Sequence, residues 1–147
     1  MNAAHWHLVL NHIPVLGTFF AAGFLVAGIF GSSKPIKKAG LIVLLLSAGM
    51  VIPVVATGEE AEEIVEKQGV SHELIHEHEE QAETAQWLMV CLGGLALVSI
   101  IADGKNRKLA DLLFMVCLIG SVAIGIVLVK VATTGGQISH PEIHALG

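Results

Sequence analysis

Long apolar runs alternate with short polar breaks along this chain. Four runs stand out, at residues 8–30, 40–56, 85–102 and 109–132. About 20 apolar residues cross the hydrocarbon core of a bilayer, so each run predicts a membrane-spanning helix. The first opens on His7, Asn11, His12 and Pro14. Asn11 is placed to cap that helix, and Pro14 then falls in its first turn, where a missing N–H costs little. Gly31-Ser32-Ser33-Lys34-Pro35 ends it. In the second run Pro53 predicts a kink, and Thr57-Gly58 predicts the stop. The acidic stretch 59–69 then reads as a separate short helix ended by Gly69. Ser71 caps a third helix that starts well before its apolar run and ends at Asp103-Gly104. The fourth helix is expected to break at Thr133-Thr134-Gly135-Gly136. Beyond it, Ser139-His140-Pro141-Glu142 has the spacing of a capping box.

The expected fold is therefore all-α: a single integral membrane domain over residues 1–147, an up-down four-helix bundle with an acidic connection at 58–84. Composition agrees. Of 147 residues, 54% are hydrophobic, and mean hydropathy is +0.74. The net charge of −5 sits mainly in the acidic connection. No basic patch with aromatics is present, which argues against nucleic acid as a partner.

The breaks set the orientation. Lys34, Lys37, Lys38, Lys105, Arg107 and Lys108 are six of the eight basic residues, and all lie in two loops on one side. The positive-inside rule makes that side cytoplasmic. Both termini and the acidic connection then lie outside, with Trp6 and Trp87 at the outer interface. The first run is too long for a cleaved signal peptide and lacks a basic start, so it reads as a retained span.

Under this topology all eight histidines, at 5, 7, 12, 72, 76, 78, 140 and 144, fall on the outer side. They come from three separate segments. Exclusion of histidine from the spans accounts for part of this pattern; gathering around a metal or haem accounts for it more fully. Helices one and three run in the same direction and are diagonal in an up-down bundle, so their ligands can meet across the core. His78, Ala82, Ala85, Met89, Gly93 and Ala96 share a small, apolar stripe. His72, His76, Glu80 and Glu83 share a polar one. His78 is thus the expected inward ligand, with His76 second. Gly17/Ala21 and Gly23/Ala27 are small-residue pairs that permit close helix packing or leave room for a flat cofactor. Lys130, at the outer end of helix four, reads as a snorkelling cation or as a partner for a cofactor carboxylate.

One motif points elsewhere. His72-Glu73-Leu74-Ile75-His76 has the His-Glu-x-x-His spacing of zinc peptidases. It lies in a stretch made mostly of His and Glu, and no third-ligand motif follows. Cys91 and Cys117 lie inside spans and read as packing residues. No Cys-x-x-Cys-His is present, which argues against covalent haem.

The opening His7-x4-His12-x-Pro14 resembles a bacterial family of small four-helix membrane proteins whose first helix begins with a His-Pro…His-Phe-Pro pattern. The likeness continues at Thr57-Gly58, at a histidine before helix three, and at Gly135-Gly136…His140. Leu8 and Ile13 depart from the pattern. The resemblance implies a four-helix membrane domain with a b-type haem role; together with the lysine asymmetry it leads to a multi-pass protein of the bacterial inner membrane with periplasmic termini. The residues and the resemblance together lead to one expectation: a haem b electron-transfer subunit binding one or two haems. Its axial ligands would come from His7, His12, His78 (or His76) and His140. Quinol, a periplasmic c-type cytochrome and a larger respiratory complex are the expected partners beside the lipid bilayer. The alternatives are an outer-face zinc, copper or nickel site drawing on His72, His76 and His144, and a cofactor-free anchor.

The lysine asymmetry yields a direct test. A reporter fused to the C-terminus is expected to be active only as a periplasmic reporter. A cytoplasmic signal there would invert the topology.

Overall fold

In the computed structural model, which describes residues 1–140, the chain is all-α. Its helices are α1 (Ala3–Leu10), α2 (His12–Phe30), α3 (Lys34–Lys67), α4 (His72–Asp103) and α5 (Arg107–Ser139). Taking α1 and α2 as one unit, four helices are long and apolar enough to cross a membrane. Connections of three or four residues make successive helices antiparallel neighbours. α2 packs on α3 and α5, and α4 on α3 and α5, while α1 lies against α3. α2 and α4 are therefore diagonal. One end of the bundle carries the lysine loops and the other carries the histidines.

Several helix boundaries differ from expectation. Asn11 makes no side-chain cap bond. Helix already precedes it, and Asn2 is the working cap, accepting from the backbone N–H of His5. Pro14 explains the interruption at Asn11, since it has no N–H to offer the Leu10 carbonyl. Thr57-Gly58 does not stop α3, which runs unbroken through Pro53 to Lys67. The acidic segment is thus the end of α3 and not a helix of its own. Thr57 folds its hydroxyl back onto the Pro53 and Val54 carbonyls, which is compatible with a continuing helix. Likewise α5 passes through Thr133-Thr134-Gly135-Gly136. Ser139 is its last residue and bonds back to the Gly135 carbonyl. It therefore does not open a new helix; Pro141 and Glu142 of the expected capping box lie outside the described residues. The caps expected at Ser71 and the end at Asp103-Gly104 are present.

The core is built from small and medium residues on one stripe of each helix. Ala21, Leu25, Leu41, Leu44, Met89 and Cys117 are fully or almost fully buried. Where lipid surrounds a protein, burial of apolar groups gives little drive for helix association, so close backbone packing must supply it. Gly93 meets that need: a Cβ there would lie 2.6 Å from the Ala48 Cβ on α3. Gly28 does the same against the start of α3, where a Cβ would lie 2.6 Å from the Lys37 backbone nitrogen. The outer faces carry Phe20, Phe30, Leu46, Ile52, Trp87 and Ile126 in the open, surfaces compatible with lipid contact. Buried Thr18, Ser47 and Ser121 bond to carbonyls four residues back, which satisfies them without water.

At the lysine end, Lys37 reaches Asp111 at 3.5 Å and lies 5.0 Å from the centre of the Phe114 ring. Lys34 reaches Asp103 at 3.7 Å. Each pair has one well-exposed partner, and such surface pairs are worth about 0–1 kcal/mol, so they orient the ends more than they stabilise them.

Adjacent glycines provide an internal control. Gly93→Ala is expected to destabilise the protein by about 1–3 kcal/mol through overpacking. Gly94 has nothing within 4 Å of its Cβ position, so Gly94→Ala is expected to be neutral or slightly stabilising. Thermal unfolding in detergent, followed by circular dichroism, compares the two.

Candidate functional site: two histidines in glycine sockets

Two histidines expected as ligands come together. The His7 ring on α1 and the His78 ring on α4 have centroids 6.3 Å apart, with planes at 88°. Both residues are half-buried. Each is held at one nitrogen. His7 Nδ1 lies 2.9 Å from the Val54 carbonyl oxygen on α3. A carbonyl only accepts, so Nδ1 carries a proton, and Nε2 is left for another partner. His78 Nδ1 lies 2.9 Å from Thr134 Oγ1 on α5. That hydroxyl also lies 3.0 Å from the Val131 carbonyl, so it can accept from His78 while donating there.

Glycines receive both rings. A Cβ at Gly58 would lie 3.1 Å from His7 Cε1, and one at Gly135 would lie 3.0 Å from His78 Cε1. Val55-Ala56-Thr57-Gly58 ends one socket helix's contact with its histidine. Val131-Ala132-Thr133-Thr134-Gly135 does so for the other. The Thr-Gly pairs that read as helix stops in the sequence therefore serve as sockets inside continuing helices. Val54, Gly58, Thr134 and Gly135 were not among the expected site residues. The near-repetition of Val-Ala-Thr-Gly was the signal available for them.

His78 lies in the polar part of α4, seven residues before the apolar run that starts at Ala85. Burial, and then the neighbouring His7 ring, hold its imidazole below the usual value, while the Val131 carbonyl works the other way. An imidazole held at Nδ1, with Nε2 left over, has the arrangement found in metal-ligating histidines, where an outer partner fixes the ring.

The spacing also fits coordination. An imidazole nitrogen binds a first-row metal at about 2.0–2.1 Å, so two imidazoles on opposite sides of one ion have centroids roughly 6 Å apart. The separation of His7 and His78 is close to that value, and imidazole is a donor that haem iron accepts.

The other expected residues lie elsewhere. His12 is exposed, with Nδ1 bonded to the Leu8 carbonyl of the preceding turn at 2.7 Å. His76 is exposed, stacked parallel to His72 and 3.5 Å from Glu80. His72 pairs with Glu66 at 2.9 Å. His140 is the exposed C-cap of α5, and His144 lies outside the described residues. Lys130 lines a groove between α4 and α5 of about 440 Å³, together with Glu80, Gln81, Thr84, Ile126 and Val127. Gln81 connects this groove to the histidines, since its Oε1 lies 3.4 Å from Thr134 Oγ1. No family model, curated protein or solved structure matches the chain.

The depressed His78 value has a definite sign. The unfolded chain binds the proton near pH 6.5, whereas folded His78 binds it only at lower pH. Acidification through that window is therefore expected to reduce stability. Histidine NMR in micelles is expected to show His78 titrating below the ordinary imidazole range. His7→Phe should move it part of the way back, because burial remains.

Proposed function

We propose that the protein is a membrane-embedded haem b electron-transfer subunit, with His7 and His78 as the axial ligands. The observation that carries this reading is the pairing of two imidazole rings 6.3 Å apart, with His7 Nδ1 on the Val54 carbonyl and His78 Nδ1 on the Thr134 hydroxyl. A bis-histidine haem supplies one-electron transfer, because neither axial position is open to oxygen. The chain's own residues do the positioning. Val54 and Thr134 hold the rings at Nδ1, Gly58 and Gly135 leave room for them, and α1 and α4 present the two histidines. The resemblance of the His7-x4-His12-x-Pro14 opening to small four-helix membrane proteins supports the same reading.

In this proposal the histidine end faces the periplasm of a bacterial inner membrane, as the lysine loops at the other end favour. The groove beside Gln81 and Lys130 is the natural place for a quinol ring. It combines an apolar floor from Ile126 and Val127 with polar groups two hydrogen bonds from His78. Lys130 also offers a cation to a cofactor carboxylate. A periplasmic c-type cytochrome or a larger respiratory complex would take the electron, since the chain has little mass beyond its helices.

The test is a reduced-minus-oxidised absorption spectrum of protein produced with haem available. Sharp α and Soret bands are expected in the wild type. They should be lost in both His7→Ala and His78→Ala and retained in His76→Ala, whose ring lies on the exposed face. A colourless, folded protein would overturn the reading, and a full complement of zinc or copper in it would replace haem with a directly bound metal.

A further inference from the structure

The turn between α3 and α4 gathers a second group of donor side chains, away from the two sockets. Glu62 and Glu66 are one helical turn apart on α3, so they share a face. Gly69 has φ +92°, a left-handed conformation that costs glycine little. It reverses the chain, and the N–H of Val70 bonds back to the Val65 carbonyl at 3.2 Å. Ser71 then caps α4 through the Leu74 N–H. His72, the first residue of α4, is thereby laid against Glu66, with Nδ1 2.9 Å from Oε1. One ligand atom from each of Glu62, Glu66 and His72 lies within 4.8 Å of the others.

We propose that Glu62, Glu66 and His72 bind one divalent transition-metal ion at this elbow, independently of the His7–His78 centre. One imidazole with two carboxylates is a borderline donor set. It suits zinc, with a fourth position left to water or a further side chain. Ligand atoms around a tetrahedral zinc are roughly 3.3 Å apart, given bonds of about 2.0–2.2 Å. The three donors reach that spacing by side-chain movement alone, since Glu66 and His72 are exposed and Glu62 is half-buried. A third carboxylate crowds the same place. Glu79 on α4 lies beside Glu62, so a cation there would offset the like charges. The parallel His76 ring, 6.4 Å from His72, backs the ligand and is the nearest further nitrogen. The ion would tie the last turns of α3 to the first turn of α4. The spacing of His72 and His76 thus has a use that needs no peptidase chemistry.

The experiment is a zinc titration of the metal-stripped full chain in detergent, against a chromophoric competitor. It is run in a His7→Phe/His78→Phe background to silence the other pair. One tight equivalent is expected there. Glu66→Gln and His72→Ala should each weaken it about tenfold or more, by comparison with the 10–100-fold losses seen even for second-shell changes. Excess magnesium should not displace it. These residues are surface groups, so circular dichroism should show wild-type helix content in both variants. The proposal is overturned if the background protein binds no zinc, or binds it equally well after both substitutions. Neither result bears on the haem spectrum.

Discussion

A histidine inside a helical bundle is tolerated only if its N–H has an acceptor and its ring has room. Helix backbones offer few free acceptors, because each carbonyl already serves the next turn. This chain meets the requirement with the second lone pair of the Val54 carbonyl and with the Thr134 hydroxyl. Room comes from Gly58 and Gly135. Both sockets lie beyond the most apolar part of their helices. α3 and α5 therefore have to continue past the point where composition alone would end them. The length of these helices follows from the needs of two rings.

The two sockets are also related to each other. In each case a histidine at the start of one long helical unit docks against a Thr-Gly step near the end of the next. The first half of the chain does this with His7 and Thr57-Gly58, the second with His78 and Thr134-Gly135. The bundle is thus two similar hairpins packed face to face, and the imidazoles meet where the halves join. The tight contact of Gly93 with Ala48 lies on the same seam, which ties the packing of the halves to the geometry of the pair.

Much of this was legible in the sequence. The four spans followed from the apolar runs, and the inward stripe of α4 was correctly read from Ala85, Met89, Gly93 and Ala96. The approach of His7 and His78 is foreshadowed by the apolar stripe that carries His78 and by the heights of both residues at one end of the bundle. The helix ends were not legible. Thr-Gly and Thr-Thr-Gly-Gly are strong stop signals when local propensity is all there is to weigh, and packing against a ring overrides it. Height along the helix puts His12 near His7 and His78, but it carries no information about face, and the ring is exposed. The return of His72 onto Glu66 depends on the handedness of one glycine, which no periodicity reports.

The two rings of the pair have different mechanical footing. His78 rides on a helix of 32 residues, continuous with the core. His7 rides on an eight-residue arm with no fully buried residue of its own, held by its packing on α3. Segments with so little buried surface open at far lower cost than the domain unfolds. The end of the bundle that carries the pair can therefore fray on one side only, with α1 loosening while the four long helices stay packed.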